Sequence, residues 1–275
     1  METFVFLAVL FAAACHAGWN ALIKVGLDPL STTTLISIGS GIVALAFAPL
    51  VGMPAAAAWP WLLASVAIHL AYFASLIESY RTGDLGQVYP IARGSAPVIV
   101  LIAGSLFAAA GRPSAAATCG VILIAFGIVL VRGLRAEHNP RDLVMALSIG
   151  ACIAAYTLVD KHGVTHGNPL SYLQVVFSIA AVAYFAGAWR ARGPQAIRAA
   201  VSPSSLLAGV GFFGSYALTL AALRLASAAT VAAVRESSVV IAAVALVATG
   251  REEPDGGRFA GAALVVAGVA FISLG

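Results

Sequence analysis

The chain carries two copies of a unit with five apolar stretches, one within residues 3–132 and the other within residues 142–274. The segment Ala14–Trp19 (ACHAGW) returns in the second copy as Ala151–Tyr156 (ACIAAY). Because five is odd, a unit that crosses a membrane five times ends on the opposite side, and its copy must insert upside down. The duplication therefore predicts two inverted repeats, an arrangement typical of secondary transporters, whose substrate site lies between the repeats.

The composition indicates that these stretches lie in a lipid bilayer. Hydrophobic residues make up 61% of the 275 residues and charged residues only 9%, whereas a soluble domain has about 25% charged residues. An apolar stretch of about 20 residues crosses a bilayer as a helix, since lipid offers no partners to backbone polar groups. We predict an all-α integral membrane protein with ten transmembrane helices, in two inverted five-helix repeats (residues 1–135 and 136–275) around a central cavity. The predicted spans are residues 3–23, 31–51, 61–80, 86–108, 115–132, 143–161, 169–189, 204–224, 228–249 and 257–274.

The distribution of basic residues predicts the orientation. The connections after the odd-numbered spans hold ten Lys and Arg residues, and those after the even-numbered spans hold three. Basic residues concentrate in cytoplasmic loops. We therefore expect a multi-pass protein of a bacterial inner membrane with both termini in the periplasm.

No motif for enzymatic or nucleic-acid chemistry occurs in the sequence. It has no HExxH, GxSxG, Walker A or dinucleotide-binding pattern, its histidines form no metal-ligand motif, and its basic residues are scattered. We expect no catalytic residues, metal site, cofactor or nucleic-acid partner. The expected partners are the lipid bilayer and a small-molecule substrate, and the chain is expected to be a monomer or a homodimer.

The fourth span contains an arginine between two prolines. Tyr89, Arg93 and Pro97 share one stripe of the predicted helix, and Pro90 and Pro97 free backbone carbonyls, which permits bending during gating. An arginine in the bilayer costs about 3 kcal/mol on insertion scales and should face protein or a water-filled cavity. Arg93 therefore either binds a substrate carboxylate or pairs with a neighbouring helix.

The ninth span is the counterpart of the fourth and has polar residues near its centre, namely Arg235, Glu236 and Ser238. Adjacent helical positions point about 100° apart, so Arg235 and Glu236 cannot both face one partner. Glu236 either contacts a substrate ammonium or a coupling proton, or it pairs with Arg93. Glu236 is followed by Ser237 and not by a proline, so this span is expected to bend less than the fourth.

Aromatic and polar residues share faces on other spans, and they are expected to wall an amphipathic cavity or to pack against each other. They are His16, Trp19 and Asn20 in the first span, His69 and Tyr72 in the third, Tyr156 in the sixth and Tyr216 in the eighth. Glu78, Asp84 and Asp160 lie near span ends and are expected to be interfacial partners of Arg81, Arg93 or Lys161.

These features together resemble the drug/metabolite transporter superfamily, in its ten-span EamA-type branch. The resemblance covers the whole chain and rests on the repeat, on the fourth-span pattern from Tyr89 to Pro97, and on the junction Leu223–Ala233. Within the branch the chain is most similar to YddG-like exporters of aromatic and other amino acids. The resemblance implies export of amino acids or related metabolites by alternating access.

Other functions remain compatible with the sequence. Related families carry nucleotide sugars, sugar phosphates or drugs, and an inverted repeat is also compatible with a small-solute channel. With one positive and one negative pole, Arg93 and Glu236 would suit a zwitterion. The substrate is therefore expected to be a zwitterionic amino acid or metabolite.

Overall fold

The computed structural model describes residues 3–24, 29–82, 85–106, 114–132, 140–248 and 256–274, and its regular structure in these ranges is helical. The prediction of an all-α chain is confirmed, and most helices begin and end within three residues of the predicted spans. The helices are α1 (Thr3–Lys24), α2 (Pro29–Val51), α3 (Trp59–Thr82), α4 (Leu85–Leu106), α5 (Ala115–Arg132), α6 (Pro140–Gly163), α7 (Pro169–Ala200), α8 (Pro203–Leu225), α9 (Ala228–Arg235), α10 (Ser237–Ala248) and α11 (Gly256–Leu274). Two short 3₁₀ segments, Ala56–Ala58 and Val164–His166, precede α3 and follow α6.

Side chains cap the helices α7, α8 and α9 at their N-termini. The Asn168 side chain accepts a hydrogen bond from the Leu170 amide at the start of α7, and Ser202 and Ser227 do the same for α8 and α9. Such caps satisfy amide groups that have no partner within the helix. They define where each helix begins after a short connection.

The helices have the length and composition of membrane spans. Six apolar helices within the described residues are long enough to cross a bilayer, and four shorter apolar helices accompany them. Large apolar side chains such as Phe4, Leu50 and Val182 are at least 70% exposed. An outer surface of this kind is stable in lipid and unfavourable in water.

Helix α7 extends beyond the predicted span 169–189 because it consists of two helical segments that meet at a kink at Gly193. Gly193 has φ 73°, a left-handed conformation that favours glycine. The segment from Pro194 to Ala200 follows this kink and carries the basic residue Arg198 in its last turn.

Helices from the two halves pack closely against each other. The contacts between helices pair α2 with α7, α5 with α11, α1 with α8, and α3 with α6. In addition, α4 packs on α6, and α1 packs on α9 and α10.

Glycines bring α5 and α11 into backbone contact. A Cβ atom on Gly120 would lie 2.6 Å from the carbonyl oxygen of Gly268, and one on Gly268 would lie 2.6 Å from that of Gly120. A Cβ atom on Gly127 would likewise lie 2.6 Å from the Gly261 oxygen. The small residues therefore allow a close crossing of these two helices.

The fourth and ninth spans differ in helical continuity, and their relative bending stays a prediction. α4 is one helix that includes Pro90 and Pro97, whereas the ninth span is interrupted at Glu236, between α9 and α10. The Glu236 amide donates to the Ala233 carbonyl three residues back, and Val239 donates to Glu236 in the same way. This short turn of tighter geometry interrupts the α-helical pattern without a proline.

The segments that follow α2 and α6 lie at the same end of the helices as the start of α7 and the end of α8. The Gln174 side chain donates to the Gly52 carbonyl oxygen (3.1 Å), and Arg224 donates to that of Gly167 (3.3 Å). At the opposite end, Glu78 near the end of α3 lies 3.9 Å from Arg141 at the start of α6. Gly52 and Gly167 therefore lie at one end of the described helices, and Glu78 and Arg141 lie at the other.

Candidate functional site

A buried ion pair joins α4 to the interrupted ninth span. Arg93 Nε lies 2.8 Å from Glu236 Oε2, and each side chain is 3% exposed. Arg93 Nη2 also donates to the Ser238 hydroxyl at 3.0 Å, in the first turn of α10. Of the alternatives left open by the sequence, the structure contains the pairing of Arg93 with Glu236.

A cluster of aromatic rings contains the candidates from α3, α6 and α8. His69 stacks on Tyr156 with ring centroids 4.4 Å apart, and Tyr216 approaches His69 edge-on at 5.3 Å. Tyr72 packs edge-on against Tyr156 at 5.8 Å. These four side chains are buried, so the predicted aromatic faces converge on one place.

The candidates on α1 join the same cluster. His16 contacts Trp19 edge-on at 4.9 Å, and Trp19 contacts Phe212 on α8 at 4.9 Å. His16 is also within electrostatic reach of Arg93 and Arg235. The first span therefore lies between the aromatic cluster and the charged residues.

Arg235, at the end of α9, contacts aromatic side chains. Its guanidinium carbon lies 5.8 Å from the centroid of the Tyr216 ring, a cation–π geometry, and the hydroxyl of Tyr156 also interacts with it. Its Nε atom is buried and has no hydrogen-bond partner within the described part of the chain. Arg235 is therefore a buried cation surrounded by rings.

Asp160 was expected to be an interfacial partner of a basic residue, but within the described residues its partners are two tyrosines. The residue is fully buried and accepts hydrogen bonds from Tyr172 (2.8 Å, to Oδ1) and from Tyr216, to Oδ2. Its position in the last turn of α6, beside Lys161, resembles that of an interfacial residue. The spacing of Tyr156 and Asp160, one helical turn apart, was the signal that places Asp160 on the inner face.

Lys161 does not pair with Asp160. Its ammonium group donates to the carbonyl oxygens of Leu223 (2.5 Å) and Ala226 (2.9 Å) at the end of α8. A helix C-terminus carries unpaired carbonyls and partial negative charge, which a lysine satisfies. The lysine therefore ties α6 to the connection between α8 and α9.

Some candidates lie outside the described side chains or away from the cluster contacts. The side chains of Asn20, Tyr89 and Pro90 are outside the described residues, and Pro97 is buried within α4. Their predicted roles in binding and bending stay predictions.

The candidate residues contact each other where the sequence predicted a central cavity. A small void of about 10 Å³ lies between α2, α3, α7 and α8, about the volume that holds one water. It is lined by Ser37, Ser40, His69, Phe73, Val176, Phe177, Ala180, Tyr184 and Phe212. Edge-on and stacked rings fill the remaining space, so the halves are closed on each other here.

Phe177, Tyr184 and Phe212 are members of the site that the sequence analysis missed. Phe177 stacks on Phe212 with centroids 4.8 Å apart, and the Tyr184 hydroxyl donates to the His69 carbonyl oxygen. Phe212 lies one turn before Tyr216 on α8, and this spacing was the available signal. Within the described residues, no group of three His, Cys, Asp or Glu side chains could hold a metal ion.

Comparison with known proteins assigns the second half of the chain. Residues 141–274 match the EamA-like transporter family. This EamA-like domain begins at α6 and includes Asp160, Arg235 and Glu236. The second half of the chain is therefore similar to a family of transporters.

The fold of the whole chain has a solved counterpart. A crystal structure, described only as that of a protein, superposes with a TM-score of 0.76 over 99% of this chain and 96% of its own. The two sequences are 17% identical, so this likeness shows the shared fold alone. No curated protein matches the chain significantly.

Proposed function

We propose that this protein carries a small zwitterionic solute, with amino acids as the first candidates, across a bacterial inner membrane by alternating access. The observation that carries the proposal is the charge of the site. Two arginines and two carboxylates are buried, and two of these residues, Arg235 and Asp160, contact rings of the aromatic cluster. A buried charge is destabilising unless it is paired or binds a ligand.

The helix contacts support two inverted repeats with ten spans. If the first five helices correspond to α6, α7, α8, the α9–α10 span and α11, every main contact has a mate. The α1–α8 contact corresponds to α6–α3, α4–α6 corresponds to the contact of the ninth span with α1, and α2–α7 and α5–α11 correspond to themselves. Such pseudo-twofold contacts are what alternating access needs, because one half must rock against the other about a fixed site.

The side chains of the site support a solute with both charges and an apolar portion. Arginine binds carboxylates and a buried carboxylate binds ammonium groups through charge-assisted hydrogen bonds. The rings of Trp19, Tyr72, Tyr156 and Tyr216 offer apolar surface with polar tips. We propose export of amino acids, aromatic ones among them, because the whole chain resembles exporters of this kind.

Counterflow of labelled amino acids in liposomes tests the proposal. Vesicles that contain the purified protein and are loaded with an unlabelled amino acid should accumulate the same labelled amino acid faster than protein-free vesicles. Sugar phosphates, nucleotide sugars and cationic drugs are the comparison panel. If uptake of every amino acid equals that of protein-free vesicles, the proposal is wrong, and faster exchange of a comparison solute would identify the other class.

A further inference from the structure

The four buried charges of the site are not equally neutralised. Arg93 and Glu236 neutralise each other at 2.8 Å. Within the described residues, no carboxylate oxygen lies within 4.0 Å of the Arg235 nitrogens, and no basic nitrogen lies within 4.0 Å of the Asp160 oxygens. Arg235 and Asp160 are thus a cation and an anion that do not contact each other.

Both residues contact the same ring instead. The Tyr216 hydroxyl donates to Asp160, and the face of the Tyr216 ring lies against the guanidinium of Arg235. Tyr172 supplies the second donor to Asp160, and Arg235 Nε is buried without a hydrogen-bond partner in the described part of the chain. The two charged residues therefore contact one aromatic side chain, Asp160 at its hydroxyl and Arg235 at its ring face.

The free-energy cost of burying Arg235 and Asp160 without an opposite charge beside either residue, among those described, indicates that they bind a ligand. A buried charge that lacks an opposite charge is destabilising, and neutral hydrogen bonds and ring contacts offset only part of that cost. A ligand with one ammonium and one carboxylate group would neutralise both residues at once. The Arg93–Glu236 pair has no such need, because each member already has its opposite charge.

We infer that Asp160 binds the ammonium group of the substrate and Arg235 its carboxylate, with Tyr216 in contact with both residues. The inference rests on the proposed function. It assigns the binding of the two charged groups of the zwitterion to two residues of the EamA-like domain. Asp160 is new as a binding residue, and Glu236 is left as the partner of Arg93. The substrate enters when the halves separate, since the rings that surround both residues are in contact in the closed structure.

Substrate analogues that lack one charge test the two poles separately. The test uses the amino acid with the fastest wild-type counterflow, together with its des-amino acid and its decarboxylated amine as competitors. In Asp160→Asn, apparent affinity for the amino acid should fall about tenfold or more, as expected for the loss of one charge-assisted contact. Inhibition by the des-amino acid, which has no ammonium group, should stay at its wild-type value.

The variant Arg235→Gln tests the binding of the carboxylate group in the same way. It also keeps the inference testable if Asp160→Asn does not fold. Affinity for the amino acid should again fall about tenfold, whereas inhibition by the amine should be unchanged. If either folded variant weakens the binding of the amino acid and of both analogues to the same extent, that residue does not bind the substrate and the inference is wrong. The same conclusion follows if the variant weakens the binding of none of the three compounds. Absence of counterflow in the wild type would contradict the proposed function itself, which is a different result.

Discussion

At the level of single residues, Arg93 and Glu236 form an ion pair that is almost completely buried. Both groups are removed from solvent, so their attraction acts at low dielectric and offsets a large desolvation penalty. Ser238 adds a hydrogen bond to the same guanidinium. Removal of one partner leaves the other charge buried without compensation.

Glu236→Gln should therefore destabilise the protein strongly. We expect a loss of about 3–5 kcal/mol in the free energy of unfolding, the usual cost of breaking a buried pair. The measurement is unfolding in detergent followed by tryptophan fluorescence. Glu78→Gln is the matched control, because the contacts of Glu78 with Arg81 and Arg141 are exposed and its effect should stay within about 0.5 kcal/mol. Equal effects of the two variants would show that the buried pair is not a structural contact.

The sequence alone located part of the site. Arg93, Arg235 and Glu236 were foreseen because charges near the centre of apolar spans must face protein or a cavity. Asp160 was missed because its partners Tyr172 and Tyr216 lie on other helices. Its spacing from Tyr156 indicates the face of α6 on which it lies, but not these contacts. The choice between a substrate pole and an ion pair also needs distances between helices.

At the scale of elements, the crossing of α5 and α11 depends on glycine. Gly120 and Gly268 each lie where a Cβ atom would press on the backbone of the opposite helix. Neither helix can yield to the added atom by turning a side chain, because the contact is with a carbonyl oxygen.

Gly268→Ala should separate these helices and destabilise the fold. Overpacking of this kind costs about 1–3 kcal/mol, measured as a lower unfolding midpoint in detergent. Gly214→Ala, in α8, is the control, since nothing lies within 4 Å of its Cβ position and alanine favours the helix by about 0.5–1 kcal/mol. A stabilising effect at both positions would contradict the close crossing.

Lys161 connects α6 to the end of α8, and Lys161→Met should loosen this link. The substitution leaves the carbonyls of Leu223 and Ala226 without their donor, at a cost of about 1–3 kcal/mol. The same unfolding measurement on Arg224→Gln is the comparison, because Arg224 makes one exposed contact to Gly167. A smaller effect for Lys161→Met than for Arg224→Gln would contradict the link.

Most helix boundaries follow from the sequence because apolar length is a strong signal. The two exceptions have local causes that hydropathy does not contain. Gly193 redirects α7 through a positive φ angle, and the tight turn at Glu236 divides the ninth span. By contrast, α4 stays continuous through Pro90 and Pro97.

At the scale of the whole molecule, the orientation predicted from the basic residues can be tested at the two ends described. Met53 lies in the connection between α2 and α3 and is 68% exposed. The side chain of Arg141, at the start of α6, is 67% exposed. The positive-inside rule places the first outside and the second in the cytoplasm.

Single cysteines at these positions should react from opposite sides. In a chain whose native cysteines are replaced, Met53→Cys should react with a membrane-impermeant maleimide on intact spheroplasts, and Arg141→Cys only after permeabilisation. The reverse pattern would invert the orientation. Reaction of both positions in intact spheroplasts would contradict the placement of these two residues at opposite ends of the helices.

In the proposed mechanism the two halves of the protein carry a solute by closing around it at a buried polar site. Efflux of a labelled amino acid from proteoliposomes tests it most directly, with and without the same unlabelled amino acid outside. If the binding site returns to the inside faster with substrate bound than when empty, efflux should be faster when the outer solution contains the amino acid. An efflux rate that is not raised by external amino acid and that rises without saturation would indicate a channel and contradict the account.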